Sequence, residues 1–518
     1  MKRNKNIPGQ CKGSVTLFAS MTIMLVAQVV FLLLEGVRYD LEKTMSTIQS
    51  KAAVESVMAQ YCKPLWEEYH LLSYDIGNSQ GDVDLTQIEN EFIYCSKEAE
   101  GRSLLNGKLL GTEVDKYTVL TDNDCQAYIA MVGSYMKENF AYEEAKLLYS
   151  YYKSLKEVKE GDSYQDEYID DAIDALKEKE EGENSNGENS SRTPHSVKAS
   201  IVKSKREDKK VDKKQDNKED NKEAKKEDNP LEDVNKTRAS GTLALVLGKD
   251  EKISNKKIHE DPVSQRTLNS GLNSSSYETS WVDKVLLCQY VSTYMSCYTN
   301  PKSHHLDYEM EYLLGGKDSD EDNLKKVVNE LLIIREAANM LHIVSSATKR
   351  AEAAALATAI AGISVNPAII KAVEIGLMAA WAYCESIMDL RTLLQGGRVP
   401  MIKSEETWTC GIKGISQSLA GKGKAKESKL GLNYREYMAI LLMFSGEKRI
   451  ATRSMDLQEA TVRDSEGYQN VRMDNMACSI SVEAEFQYNT IFGSFVSLIK
   501  GPGKSAKKKV KAEYAYIK

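Results

Sequence analysis

The sequence predicts a mainly α-helical protein with a small C-terminal antiparallel β element, an α+β chain carried on a single N-terminal transmembrane helix that continues into a stalk. Three observations lead there. Val15 to Leu34 is an apolar run of twenty residues without one charge. Val37, Leu41, Met45, Ile48 and Ala52 keep helical spacing beyond it, and residues 478–488 alternate strictly between apolar and polar side chains.

The apolar run is the anchor. At 1.5 Å per residue it spans about 30 Å, the thickness of a bilayer's hydrocarbon core. The hydroxyls of Thr16, Ser20 and Thr22 can bond back to the helix's own carbonyls, whereas the Gln28 amide asks for a partner elsewhere. Lys2, Arg3, Lys5 and Lys12 precede the run; Glu35, Asp40 and Glu42 dominate after it, relieved by Arg38 and Lys43. The excess of positive charge before the span puts the N-terminus in the cytoplasm and the bulk of the chain on the extracytoplasmic side of the cell membrane. A cleaved secretory signal is the competing reading. Twenty apolar residues are long for a signal core, and the following LLLEGVRYD offers no small-x-small cleavage site.

No Gly or Pro interrupts the chain from Val37 to Lys63, so one helix is expected from the bilayer to about Cys62, with Pro64 as its stop. Glu35, at the outer edge of the span, can pair with Arg38 or with a partner's basic residue; an ordinary interfacial carboxylate is the plainer reading.

The rest divides by composition. The expected order is a basic cytoplasmic N-terminus (1–14), the transmembrane helix (15–34), the stalk helix (35–63), a first extracytoplasmic helical region (64–176), a disordered charged linker (177–230), a second extracytoplasmic α+β region (231–501) and a basic tail (502–518). The linker is nearly devoid of aliphatic residues, so burial cannot offset its ordering entropy. In the second region, residues 320–349 read as one long amphipathic helix. Ala353 to Ile370 is uncharged and long enough to raise a second span. Asn366-Pro367 interrupts it, alanine contributes little transfer energy, and Lys371 and Glu374 follow at once, so a buried helical hairpin is the better reading. The alternation of Cys478, Ile480, Val482, Ala484, Phe486 and Tyr488 marks a strand, with Asn470–Met473 and Phe492–Lys500 as candidate neighbours.

Charge bears on partners. The chain carries 76 acidic against 69 basic residues, and the basic ones gather in the N-terminus, linker and tail. No folded segment offers a basic patch interleaved with aromatics, so a nucleic-acid partner is not expected. Nine cysteines form no close CxxC pair, which leaves no metal cluster of short ligand spacing. In an oxidising compartment Cys62, Cys95 and Cys125 are the natural local disulfide candidates; buried thiols are the alternative.

Catalytic signatures are weak. Gly315-Gly316-Lys317 lacks the remaining framework of a phosphate loop and reads as a turn. His304-His305, near Asp307 and Glu309, is the densest group of metal-ligand types, though a solvated pair before a helix is the plainer reading. Glu309 and Glu311 lie two apart and should face different ways, so they make no acid and base pair. No catalytic residue and no cofactor is therefore assigned.

Two resemblances give context. The stalk resembles a pilin or pseudopilin N-terminus, a rod whose inner half sits in lipid and whose outer half packs on a head. CKGSVTLFASMTIMLVAQVVFLLLEGVRYDLE resembles the N-termini of TadE- and TadG-like proteins of tight-adherence pilus systems. Segments 229–254, 306–340 and 432–444 are similar to an uncharacterised Firmicutes family of large membrane proteins often associated with such loci. That resemblance implies a structural or assembly role through protein partners in a pilus or secretion assembly, with self-association through the N-terminal helix. The alternative is a membrane-tethered cell-wall or extracellular enzyme or binding module. In one respect the chain departs from the pilins: cleavage after Gly13 would put Phe18 where a mature class III pilin carries its registering Glu.

Overall fold

The computed structural model describes residues 12–78, 81–99, 107–139, 142–159, 171, 174, 230–239, 241–247, 251–362, 366–421, 423–489 and 506–517. In order, the elements are α1 (Lys12–Met58), α2 (Lys63–Tyr69), β1 (Tyr74–Asp75), α3 (Leu85–Ala99), β2 (Lys108–Val119), α4 (Asp122–Asn139), α5 (Tyr142–Lys159), α6 (Pro230–Ala239) and α7 (Thr242–Leu247). These are followed by α8 (Trp281–Tyr294), α9 (Glu309–Gly315), α10 (Asp320–Ser345), α11 (Ala347–Ala361), α12 (Pro367–Leu394), α13 (Ile415–Ala420), α14 (Tyr434–Leu442), α15 (Glu447–Arg463), β3 (Met476–Tyr488) and β4 (Ala506–Ala515). The protein is thus mainly α with a small antiparallel β element that includes its C-terminal strands. The expected linker, apart from Pro230, lies outside the described residues.

Two compact units emerge. The first holds Met1–Tyr152, Ile253–Leu324 and Arg435–Lys518; the second holds Lys153–Lys252 and Lys325–Tyr434.

In the first unit, α1 runs unbroken for 47 residues. It stops at Met58, short of the expected Cys62, and Pro64 sits in the first turn of α2, where its missing N–H costs nothing. β3 is the centre of the sheet. It pairs antiparallel with β2 on one side and with β1 and β4 on the other. The strand read from the sequence is present, with Cys478, Ile480, Val482, Ala484, Phe486 and Tyr488 buried; burial alternates only from Val482 onward, because Ser479 and Ser481 are buried as well. Its neighbours are not those expected. Asn470–Met473 is not a strand: it runs through a turn into a 3-10 turn, Met473–Asn475, where Asp474 meets Arg266 and Arg472, and Phe492–Lys500 lies outside the described residues. The third long strand is β4, within the supposed basic tail. There Lys507, Lys509 and Lys511 stand outward while Val510 and Ala512 enter the core. Lys509 pairs with Glu483 at 2.8 Å and Lys511 with Asp115, which offsets the cost of an exposed lysine ladder.

The inner face of this sheet packs on α1 and α3. Ala53, Val54, Val57 and Met58 of α1 join Ile88, Phe92, Val114, Ile480, Val482, Phe486 and Val510 in one core. Each such aliphatic side chain contributes about 1.5–3 kcal/mol when fully buried.

In the second unit α12 is the axis, with α6, α7, α11 and α13 packed on it. Every residue from Gly376 to Leu394 is buried. α12 is long and apolar enough to cross a membrane by composition, yet it is the core helix of this unit. The expected long helix breaks at Ser346, whose side chain caps Lys349 N–H, and α11 and α12 pair as the hairpin, with Asn366 capping Ala368 N–H and Pro367 in the first turn. α1 is the helix whose spanning-length apolar stretch is not buried within the described residues.

Candidate functional site

The N-terminal helix changes environment along its length. Phe18, Ile23 and Leu33 are 70%, 69% and 63% exposed, whereas Val54 and Val57 are each 1% exposed. Gln28 is only half exposed within the apolar stretch. Where that stretch ends, the spacing of three and four residues puts Glu35, Arg38 and Glu42 on one face. Arg38 Nη2 lies 3.0 Å from Glu35 Oε1, and Nη1 lies 2.5 Å from Glu42 Oε1. The same guanidinium donates to the Asn489 carbonyl just past β3, and Tyr39 meets Tyr488 edge to face at 5.5 Å. Burial pushes the Glu42 carboxyl up, against the opposing pull of Arg38. This knot ties α1 to the sheet at the boundary between its two environments.

His304 and His305 diverge. His304 is buried, with Nδ1 2.7 Å from Glu309 Oε2 and its ring 5.5 Å from that of Tyr69. His305 turns to Asp464 Oδ2 at 3.0 Å and to the Lys257 carbonyl at 3.2 Å. Adjacent residues with separate partners do not share one metal. Among the described residues no group of three or more His, Cys, Asp or Glu side chains is arranged to hold a metal ion.

Glu309 and Glu311 act on the same loop despite their spacing. Ser296 N–H donates to Glu309 Oε2 at 2.6 Å, and Tyr298 N–H donates to Glu311 Oε1 at 2.9 Å. Both carboxylates are fully buried and satisfy the backbone N–H groups of Ser296 and Tyr298, while Cys297 N–H donates to the Asn300 carbonyl at 3.2 Å. Beside them Gln458 donates to the hydroxyls of Tyr128 and Tyr290 at 2.9 and 3.2 Å, and Tyr290 donates to the Tyr69 carbonyl at 2.7 Å. Gly316 ends α9 with φ +63°, so Gly315-Gly316-Lys317 is a helix-terminating turn.

A second buried cluster in the first unit centres on Glu459. Arg266 reaches it with two bonds of 2.7 Å, Arg463 with one of 2.7 Å, His259 lies at 3.1 Å, and Met473 N–H donates at 2.8 Å. Burial works to raise this carboxyl, but the Arg266 bonds overcome it and bring the pKa down to about 2. Asp474 takes Arg266 at 2.5 Å and Arg472 at 3.1 Å. A polar cleft of about 330 Å³ nearby is lined by Gly81, Asp82, Arg463, Gln469, Asn470 and Arg472. Its two guanidinium groups are already neutralised by Glu459 and Asp474, which blunts their attraction for an anion.

The second unit has its own network. Arg335 binds Asp389 Oδ2 through Nε at 3.0 Å and Nη2 at 2.9 Å, and donates from Nη1 to the Pro400 and Met401 carbonyls. Lys403 Nζ lies 2.6 Å from Asp389 Oδ1 and also contacts Glu385. All four side chains have no exposed surface. Burial would raise the Asp389 carboxyl, and Arg335 with Lys403 hold it below the usual carboxylate range. Arg391 is satisfied entirely differently. It donates to the carbonyls of Leu245, Ser418, Leu419 and Gly423, clasping α7, α13 and the loop after α13.

Residues 220–488, just over half of the chain, match a family of unknown function, DUF5702. The chain belongs to the DUF5702 family. The DUF5702 span contains His304, Glu309, Glu459, Arg335, Asp389 and Arg391, so these buried charges fall within the family region, whereas α1, β2 and β4 fall outside it. No curated protein and no solved structure matches the chain.

Sequence reasoning passed over Glu385, Asp389 and Arg391. The signal was present: charged residues within an otherwise apolar helix need partners. Their partners stand up to 146 residues away, beyond any local pattern.

Proposed function

We propose that this DUF5702 protein is a membrane-anchored structural or assembly component of a bacterial cell-surface system of the pilus or secretion type. Its N-terminus lies in the cytoplasm and its folded units lie outside the membrane, where they act by protein contacts. The observation that carries this reading is the division of α1, exposed and apolar over residues 15–34 and built into the core of the first unit over residues 53–58. A helix that merely tethered an independent enzyme would not need to be part of its core. The layout corresponds to the pilin-like stalk suggested by the sequence, and the basic residues before the span support the orientation. The buried charges also favour a structural role, since His304, Glu309, Glu459 and Asp389 spend their bonding capacity on residues of the same chain.

The test is chemical cross-linking in intact cells followed by purification, comparing the natural chain with one whose residues 15–34 are replaced by an unrelated apolar helix of equal length. The expected result is that both stay in the membrane and the replacement loses its envelope protein partners. A purified natural chain that retains stoichiometric metal and an activity, both lost in His304→Ala, would contradict the assembly role and favour a tethered enzyme.

A further inference from the structure

The second unit contains two sulfurs in contact. Cys384, on α12, and Cys410, in the segment before α13, have their Sγ atoms 3.0 Å apart, and neither is in a disulfide. We propose that Cys384 and Cys410 are a dithiol that closes into a disulfide by exchange with a disulfide-bearing oxidant, stapling α12 to the loop that follows it.

The surroundings fix both partners. Cys384 stands in the fully buried stretch of α12, so its backbone is held by the helix. Cys410 is held at both of its backbone polar groups. Its N–H donates to Glu385 Oε2 at 2.7 Å, while its carbonyl accepts the indole N–H groups of Trp381 at 2.8 Å and Trp408 at 2.7 Å. Glu385 is the residue next to Cys384 and is itself gripped by Lys403. The turn of α12 that presents one sulfur therefore also presents the clamp that positions the other. A disulfide bond is about 2.05 Å long, so the sulfurs need to approach by only about 1 Å. Other cysteines contact oxygen instead: Cys478 lies 3.4 Å from the Thr118 carbonyl and Cys297 lies 3.5 Å from Thr299 Oγ1. Cys62, Cys95 and Cys125, expected as local disulfide partners, are free thiols.

Cys384 supplies a hydrogen bond to Cys410, which favours Cys410 as the thiolate. The Cys410 thiolate attacks one sulfur of the oxidant and expels one thiolate, leaving a mixed disulfide. Cys384 then loses its proton and attacks the Cys410 sulfur, expelling the second thiolate. Two protein S–H bonds become one S–S bond, and the oxidant's S–S bond becomes two S–H bonds. Because both cysteines are buried, the first attack takes place during folding or local opening, and closure seals the product.

The full-length chain, purified in detergent with reductant and then freed of it, is carried through a urea series with oxidised glutathione, returned to buffer, alkylated and mapped by mass spectrometry. The expected product is a peptide pair joined through Cys384 and Cys410, lighter than its parts by two hydrogen atoms and released by reductant. Cys384→Ser should instead trap Cys410 as a mixed disulfide with glutathione. The oxidised natural chain should unfold at higher urea than the reduced one, with that shift absent in Cys384→Ser and in Cys410→Ser. Recovery of both cysteines fully alkylated from refolded protein, their pairing with other cysteines, or equal urea midpoints for the two natural forms would overturn the staple.

Discussion

The two halves of α1 are one helix with two kinds of surroundings. Residues 15–34 leave most of their large apolar side chains exposed, while residues 53–58 bury Ala53, Val54, Val57 and Met58 against a sheet. Backbone conformation does not distinguish them; what each side chain meets does. A helix apolar on every face requires an apolar medium, whereas one with a single apolar stripe requires one partner surface. Arg38, bound to Glu35, Glu42 and the Asn489 carbonyl, marks the change.

The same substitution should act differently in each half. Val57→Asp places an uncompensated charge in the core of the first unit at a cost of about 3–5 kcal/mol, read as a fall in the urea midpoint of the detergent-solubilised chain. Val29→Asp should leave that midpoint in place and weaken membrane insertion by about 2.5–3.5 kcal/mol, read by carbonate extraction. Equal effects of the two substitutions on folding would erase the distinction.

Acid offers a second separation. The Glu459 carboxyl, brought from an ordinary 4.5 to about 2, contributes stability that is present above about pH 4.5 and lost as pH falls through about 2. A shift of that size corresponds to roughly 3 kcal/mol. Tertiary circular dichroism should therefore collapse in that window while membrane attachment persists, and Glu459→Gln should be less stable at neutral pH with a flatter acid profile. Release from the membrane in step with the collapse would show that the two halves are not independent.

Smaller effects sharpen the junction. Arg38→Met leaves the nearly buried Glu42 without its cation and should cost roughly 1–3 kcal/mol in the first unit, with the loss easing at low pH as Glu42 takes up a proton. Tyr39→Leu removes the edge contact with Tyr488 and should cost about 0.5–1.5 kcal/mol, visible as a small shift of the urea midpoint.

What was legible in the sequence follows from range. The apolar run, the helix beyond it, the hairpin at Pro367 and the alternation of β3 are written in consecutive residues, and they appear in the structure close to where they were read. β2 escaped because its register shifts, between Val114 and Lys116 and again near Val119, break the period of two that would reveal a strand. β4 escaped because its outward positions are lysines, so a charge run concealed the inward Val510 and Ala512. The Glu309 and Glu311 pair shows a related limit: helix geometry separates their directions, but a curling loop from 296 to 298 reaches both. The Arg335 and Asp389 ion pair and the Arg266 and Glu459 pair join positions 54 and 193 residues apart, and no spacing rule connects them.

The central claim is that α1 crosses the membrane with the folded units outside. It is tested most directly by treating intact cells with a protease and sequencing the N-terminus of the fragment left in the membrane. The account predicts a retained piece that begins before Val15, with loss of the chain beyond residue 65. Complete protection of that region in cells whose other surface proteins are digested would contradict it.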